Sequence, residues 1–245
     1  MARYTASASE GLQGRPILLR HQLAYGGGNL LGSGALAISG AWLLYFYTTF
    51  CGLTLIEASF IFSVASIIDA ISNPLMGYLT DNFGKTRLGK RFGRRRFFLL
   101  IGIPLMLFYP LLWVEGLSFW YYLCTYVVFE IIYTSIMVPY ETLATEMTDD
   151  FSLRSKLTGY KAIFGKLANF LAAFIPGQFI LLYGKDSATP FFLTGLTYGA
   201  ILIVAITCLW LCSWERERAE AVDTSAKKGL LSTLLSLAKD MRSTF

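Results

Sequence analysis

The sequence predicts an all-α integral membrane protein in which six transmembrane helices form one bundle. Three observations carry that reading. The chain is 55% hydrophobic and only 15% charged, against about a quarter charged in soluble proteins. Apolar runs recur at Leu23–Phe50, Leu55–Leu79, Phe97–Val114, Leu117–Val138, Leu157–Tyr183 and Phe191–Trp214, each near or above the ~20 residues that cross a bilayer as a helix. The basic residues, finally, fall in alternate connections between these runs.

The elements follow in order. Residues 1–21 are polar, contain Arg3, Arg15 and Arg20, and lack an apolar stretch of their own, which predicts a tail and not a cleaved signal peptide. Residues 22–214 are the expected bundle. Its first span opens on "YGGGNLLGSG". That spacing is wrong for a nucleotide loop and follows no strand, so Gly28, Gly32, Ser33 and Gly34 read as a small face that lets neighbouring helices approach. The second span carries Asp69 and Asn73, the fourth Glu130, Tyr133 and Thr134, and the fifth Lys166 and Asn169. Residues 215–245 begin as a charged linker and continue into "LLSTLLSLAKDMRSTF", where Leu230, Leu231, Leu234, Leu235, Ala238 and Met241 repeat with helical periodicity. An amphipathic helix lying on the membrane surface is expected there.

Orientation follows from the basic residues, which accumulate on the cytoplasmic side of short loops. The tail holds three, the connection from Thr80 to Arg96 seven, that from Thr148 to Lys161 three and the segment after Trp214 six, while the opposite connections hold only Lys185. Both termini are therefore expected in the cytoplasm of a multi-pass cell-membrane protein. The run ending in Arg94–Arg96 is explained by topology alone on one reading, and has a further role on another. A nucleic-acid partner is not supported by the +5 net charge, because the basic residues sit between helices and not on a soluble domain. Membrane lipids are the expected surroundings.

Other chemistries fall away. Cys51, Cys124, Cys208 and Cys212 have no C-x-x-C spacing and His21 is the sole histidine, so neither a disulfide framework nor a zinc site is indicated. No serine, histidine and carboxylate set suggests an enzyme. What remains is three ionisable residues inside apolar spans, where each costs about 2.5–3.5 kcal/mol on insertion scales. At ~1.5 Å per residue from the expected cytoplasmic ends, Asp69 and Glu130 lie roughly 15–17 Å deep and Lys166 roughly 12 Å. Polar partners share their faces at i+3 or i+4: Asn73 with Asp69, Tyr133 and Thr134 with Glu130, Asn169 with Lys166. One reading is an ion pair that ties the second, fourth and fifth spans together. The other is an ion or substrate pathway.

The stretch "DAISNPLMGYLTDNFGKTRLGKRFGRRR" resembles the helix 2 to helix 3 region of the glycoside, pentoside and hexuronide cation symporters, a branch of the major facilitator superfamily. It combines a D-x-x-x-[D/N]-P turn, a G-x-L-x-D end at Gly77, Leu79 and Asp81, and the loop ending Gly93–Arg96. The block "YTSIMVPYETLATEMTDDFSLRSKLTGYK" is similar to the family's helix 4 to helix 5 connection. The resemblance implies a fold of two six-helix bundles that rock about a central site, of which this chain supplies the N-terminal one. A second six-helix bundle is thus an expected partner, missing through truncation or supplied by assembly of half-units, and the chain alone is expected not to transport.

Carried over residue by residue, the resemblance places Asp69 at the first acidic position of a cation site and Thr134 at a hydroxyl position that contributes a ligand. Asn73 stands at the second acidic position, and Glu130 is expected to compensate from across the bundle. Ser33 stands at an acidic position used for sugar hydroxyls, Met137 at an acidic position on helix 4, and Ala162 at an arginine position on helix 5. Lys166, Tyr133, Ser33 and Asn169 are the expected substrate contacts. Gly77, Asp81, Arg94 and Arg95 are the expected gating set, with Asp81 pairing with cytoplasmic basic residues or capping the next helix. The implied function is Na+- or H+-coupled transport of a small polar solute such as a glycoside or hexuronide, with no cofactor beyond the coupling ion. Two alternatives stay open on the residues: a Na+-coupled transporter of lipid-like amphiphiles, and a six-helix membrane protein that does not transport.

Overall fold

The computed structural model describes residues 16–215; the expected tail before Pro16 and the expected amphipathic helix lie outside the described residues. Among the described residues seven helices follow one another: α1 Leu19–Thr49, α2 Leu55–Phe83, α3 Arg87–Phe92, α4 Arg96–Trp113, α5 Phe119–Met147, α6 Phe151–Tyr183 and α7 Thr189–Cys212. All but the short α3 are long and apolar enough to cross a membrane. Helical spans satisfy every backbone group internally, which hydrocarbon demands.

Local chemistry sets the helix ends. Thr54 caps α2 by accepting from the Glu57 amide at 3.2 Å, while Glu57 accepts from the Thr54 amide at 2.8 Å, a reciprocal capping box. Asp150 caps α6 by accepting from the Ser152 amide at 2.7 Å. That cap extends α6 six residues upstream of the first apolar residue of its run, so Arg154, Lys156 and Lys161 are helical and the connection before α6 shrinks to residues 148–150. Likewise α1 begins at Leu19, within the expected tail, and α2 and α5 run on to Phe83 and Met147. Pro104 and Pro110 both fall in α4, whose second half, Met106–Trp113, tightens to a 3-10 helix; each proline removes one backbone donor and crowds the preceding turn.

The first helix is irregular where its sequence is richest in small residues. Leu30–Ala35 and Ser39–Leu43 are π-helical, a widened geometry often found at functional sites. Three tyrosines from two neighbouring helices hold this helix by its backbone. Tyr198 donates to the Leu30 carbonyl at 2.7 Å, Tyr133 to the Gly32 carbonyl at 3.1 Å and Tyr140 to the Tyr25 carbonyl at 2.8 Å, while the Asn29 amide donates to the Lys161 carbonyl at 2.9 Å. The approach depends on glycine. A Cβ on Gly28 would lie 2.6 Å from the Tyr140 ring, and one on Gly34 would collide with the Tyr198 hydroxyl and lie 3.0 Å from Ala168.

Within the bundle α1 packs on α6 and α7, α2 on α5, and α4 on α5 and α7. Coverage is uneven. Only 17% of the apolar window of α2 and 22% of that of α6 is buried, against 50% for α1 and α5. These two open helices are the ones that carry Asp69, Asn73, Lys166 and Asn169.

Candidate functional site

The α2 and α5 helices meet at a polar contact inside their apolar spans. Asp69 is half-buried on α2; its carboxylate accepts from the Thr134 hydroxyl of α5 at 2.7 Å on one oxygen and from the Asn73 amide at 3.0 Å on the other. Asn73, one turn further along α2, also donates to the Asp69 carbonyl at 3.0 Å. Thr134 is buried, and Glu130, one turn before it on the same face, is buried as well. The electrostatic neighbours of Glu130 are Tyr126 and Asp69. Two carboxylates, a hydroxyl and an amide thus gather between α2 and α5, with no basic side chain among the described residues bonded to them. Hard cations prefer oxygen donors of this type, and two carboxylates in one low-dielectric site favour sharing a cation or a proton.

Lys166 stands apart from this group. It is exposed on α6, as is Asn169 one turn later, and it makes no ion pair among the described residues. The three-way ion pair of one sequence reading is therefore not formed. Ser33 sits in the π-helical part of α1 against α6, where a Cβ on Gly165 would lie 3.1 Å from its hydroxyl. Tyr133 is half-buried, its hydroxyl engaged by the Gly32 carbonyl. One pair on this side escaped sequence reasoning: Lys161 of α6 bonds both carboxylate oxygens of Glu141 on α5, and its ammonium lies 5.5 Å from the Tyr140 ring centroid.

A second charged cluster closes the end of the bundle where α2 stops and α4 starts. Glu146 of α5 is buried and bonds both Arg94 and Arg95, the latter at 2.8 Å. Arg95 is buried too and also donates to the Thr142 carbonyl at 3.2 Å. Asp81 reaches the same arginines from the end of α2, at 3.3 Å to Arg95 and 3.9 Å to Arg94, with its side chain 62% exposed. Pairing with basic residues, rather than capping, is what Asp81 does; Thr86 caps α3 by accepting from the Gly89 amide at 3.0 Å. At Gly93 the backbone turns with φ +91°, which favours glycine. Beyond it the amides of Arg94, Arg95 and Arg96 all donate to the Glu215 carboxylate, at 3.0, 2.7 and 2.6 Å. A carboxylate at the amino end of α4 is stabilised by the helix dipole, and it fastens the segment after α7 to α4. A Cβ added at Gly77 would meet no atom within 4 Å, so no close helix approach there requires glycine.

Comparison with known proteins places this arrangement. Residues 24–245 match the MFS/sugar transport protein family. The chain belongs to that family, in the glycoside, pentoside and hexuronide cation symporter branch of the major facilitator superfamily. Similar relatives include the inner membrane symporter YicJ of Escherichia coli, 29% identical over 75% of this chain and 40% of its own length. The glucuronide carrier protein homolog of the same organism is 26% identical over 89% of this chain and 48% of its length. The sodium-dependent lysophosphatidylcholine symporter 1-A of Danio rerio is 28% identical over 58% of this chain and 27% of its length. The chain spans less than half the length of these relatives. Two of them are named symporters and the third a carrier; they are transporters and not enzymes. As a member of this family the chain is an integral membrane protein, and its six candidate spans fit a major facilitator amino-terminal half.

Proposed function

We propose that the six spans form one bundle of a cation-coupled secondary transporter for a small polar solute such as a glycoside or hexuronide. In this reading Asp69 and Glu130 carry the coupling Na+ or H+, with Thr134 and Asn73 as oxygen ligands. Lys166, Asn169, Ser33 and Tyr133 face the solute, and Gly77, Asp81, Arg94 and Arg95 govern opening and closing. The end bearing the arginines faces the cytoplasm, as do both termini.

One observation carries the proposal. Asn73, Lys166 and Asn169 are exposed on α2 and α6 in the middle of apolar spans, and acyl chains do not tolerate an ammonium or an amide at that depth. Such faces require a water-lined cavity, and a second six-helix bundle closing over α2 and α6 supplies one.

Thr134→Ala tests the cation assignment. A hydrogen bond to a charged group is worth about 1.5–3 kcal/mol, so a sodium site loses affinity by roughly tenfold or more, whereas a proton-coupled site shows an altered pH profile of uptake. Thr134→Ser restores wild-type behaviour in either case. Unchanged sodium affinity together with an unchanged pH profile of uptake sinks the assignment. Lys166→Ala tests the solute face: with no internal anion to neutralise, its loss weakens binding of anionic solutes selectively and leaves cation binding within about twofold. Equal loss for neutral and anionic solutes contradicts that role.

A further inference from the structure

We infer that a groove between α1, α6 and α7 is a seat for one anionic phospholipid, separate from the solute pathway. The groove encloses about 930 Å³. Small residues of α1 and α7, Ala24, Gly27 and Ala200, open it, and Phe164 of α6 and Val204 of α7 wall it. Along α7 it runs from Leu196 to Cys212, about 24 Å at 1.5 Å per residue, longer than the about 15 Å depth of one bilayer leaflet. An acyl chain fits lengthwise.

Its lining tells what occupies it. The walls are apolar apart from Thr197, the two cysteines and one charge, Arg20, which stands in the first turn of α1 at the end of the groove shared with Cys212. Arg20 is exposed; its Nε donates to the His21 imidazole at 3.2 Å and its terminal nitrogens bond nothing among the described residues. A phosphate is the natural bidentate partner of such a guanidinium. A membrane-embedded apolar slot with a free cation at the interfacial end matches a phospholipid's tail and headgroup in the order a leaflet presents them. The groove does not belong to the solute site, because Phe164 and Lys166 lie two residues apart on α6 and so point about 200° from one another.

The test is lipid retention by the full-length protein, purified from vesicles of equal phosphatidylglycerol and phosphatidylcholine and read by native mass spectrometry. Wild type is expected to retain one phospholipid, with phosphatidylglycerol enriched about fivefold, the effect of one arginine at a membrane surface. Arg20→Gln keeps the lipid and loses the enrichment. Ala200 and Val204 are exposed, so Ala200→Trp and Val204→Trp fill the groove without entering the core, and the retained lipid disappears from whichever of the two elutes as a monodisperse species with wild-type helix content. Folded wild type that retains no lipid overturns the inference and leaves the groove to the chain's own carboxy-terminal segment or a second protein. Undiminished retention in both tryptophan variants overturns it as well. Loss of solute transport bears only on the polar pathway, so the two readings fail separately.

Discussion

Asp69→Asn is expected to abolish cation-driven accumulation of the solute, lowering apparent cation affinity by about a hundredfold or more, the effect of removing one member of a buried charge pair at about 3–5 kcal/mol. The substitution is nearly isosteric. An amide in place of the carboxylate still accepts from the Thr134 hydroxyl through its oxygen, a contact now made at 2.7 Å, while the Asn73 amide keeps its bond to the backbone carbonyl of residue 69, so the α2–α5 contact and membrane insertion persist. What disappears is the negative charge. Glu130 remains, buried beside Tyr126, but one carboxylate supplies half the negative charge of the pair and holds a driving cation correspondingly less well. The decisive measurement separates two fluxes with both bundles present: exchange of solute across the membrane with no gradient, and accumulation against one. Exchange should survive while accumulation fails. Accumulation at the wild-type level would remove Asp69 from the coupling site, and loss of both fluxes with loss of folded protein would reduce it to a structural residue.

The bundle was legible in the sequence because the bilayer imposes one length and one chemistry on every span. All six spans lie where the apolar runs place them. Their ends were less legible: an apolar run marks where lipid begins, while hydrogen bonding continues to a cap, as at Asp150 before α6 and through Met147 in α5. This is also why the Glu141–Lys161 pair escaped notice, since Lys161 read as part of a loop. The π-helical turns of α1 leave no periodic signature, because glycine, alanine and serine mark no hydrophobic face. The Asp69–Asn73 contact was legible from i, i+4 spacing on α2, and the family resemblance set Thr134 at the same site, but depth alone could not give azimuth. Lys166, expected in the same layer, is exposed on α6 and pairs with neither carboxylate among the described residues. Glu146 and Glu215 carried no sequence signal of their own: one acidic residue near a helix end looks like any solvated charge until the arginines it holds are in place.

Those arginines separate two kinds of carboxylate, and the second large effect follows from the difference. Glu146→Gln is expected to destabilise the bundle by about 3–5 kcal/mol, as removal of one partner from a buried ion pair does, because Arg94 and the buried Arg95 then share only Asp81. Asp81→Asn is expected to cost under about 1 kcal/mol, as an exposed pair does, since its side chain is 62% exposed and its contacts are the longer ones, 3.3 and 3.9 Å. The roles divide accordingly. In the proposed reading Glu146, held within α5 and bonded to both guanidiniums, keeps the arginines on the bundle, whereas Asp81, at the end of the sparsely covered α2, releases when that end moves. Asp81→Asn therefore changes turnover more than stability, and slows it by shifting the balance between the two states. Thermal unfolding in detergent and solute turnover, measured on both variants, decide the matter. A melting temperature for Glu146→Gln equal to wild type would show that Asp81 alone neutralises the pair of arginines, and the anchor would then be the gate. A wild-type turnover for Asp81→Asn would leave this contact without a part in opening and closing.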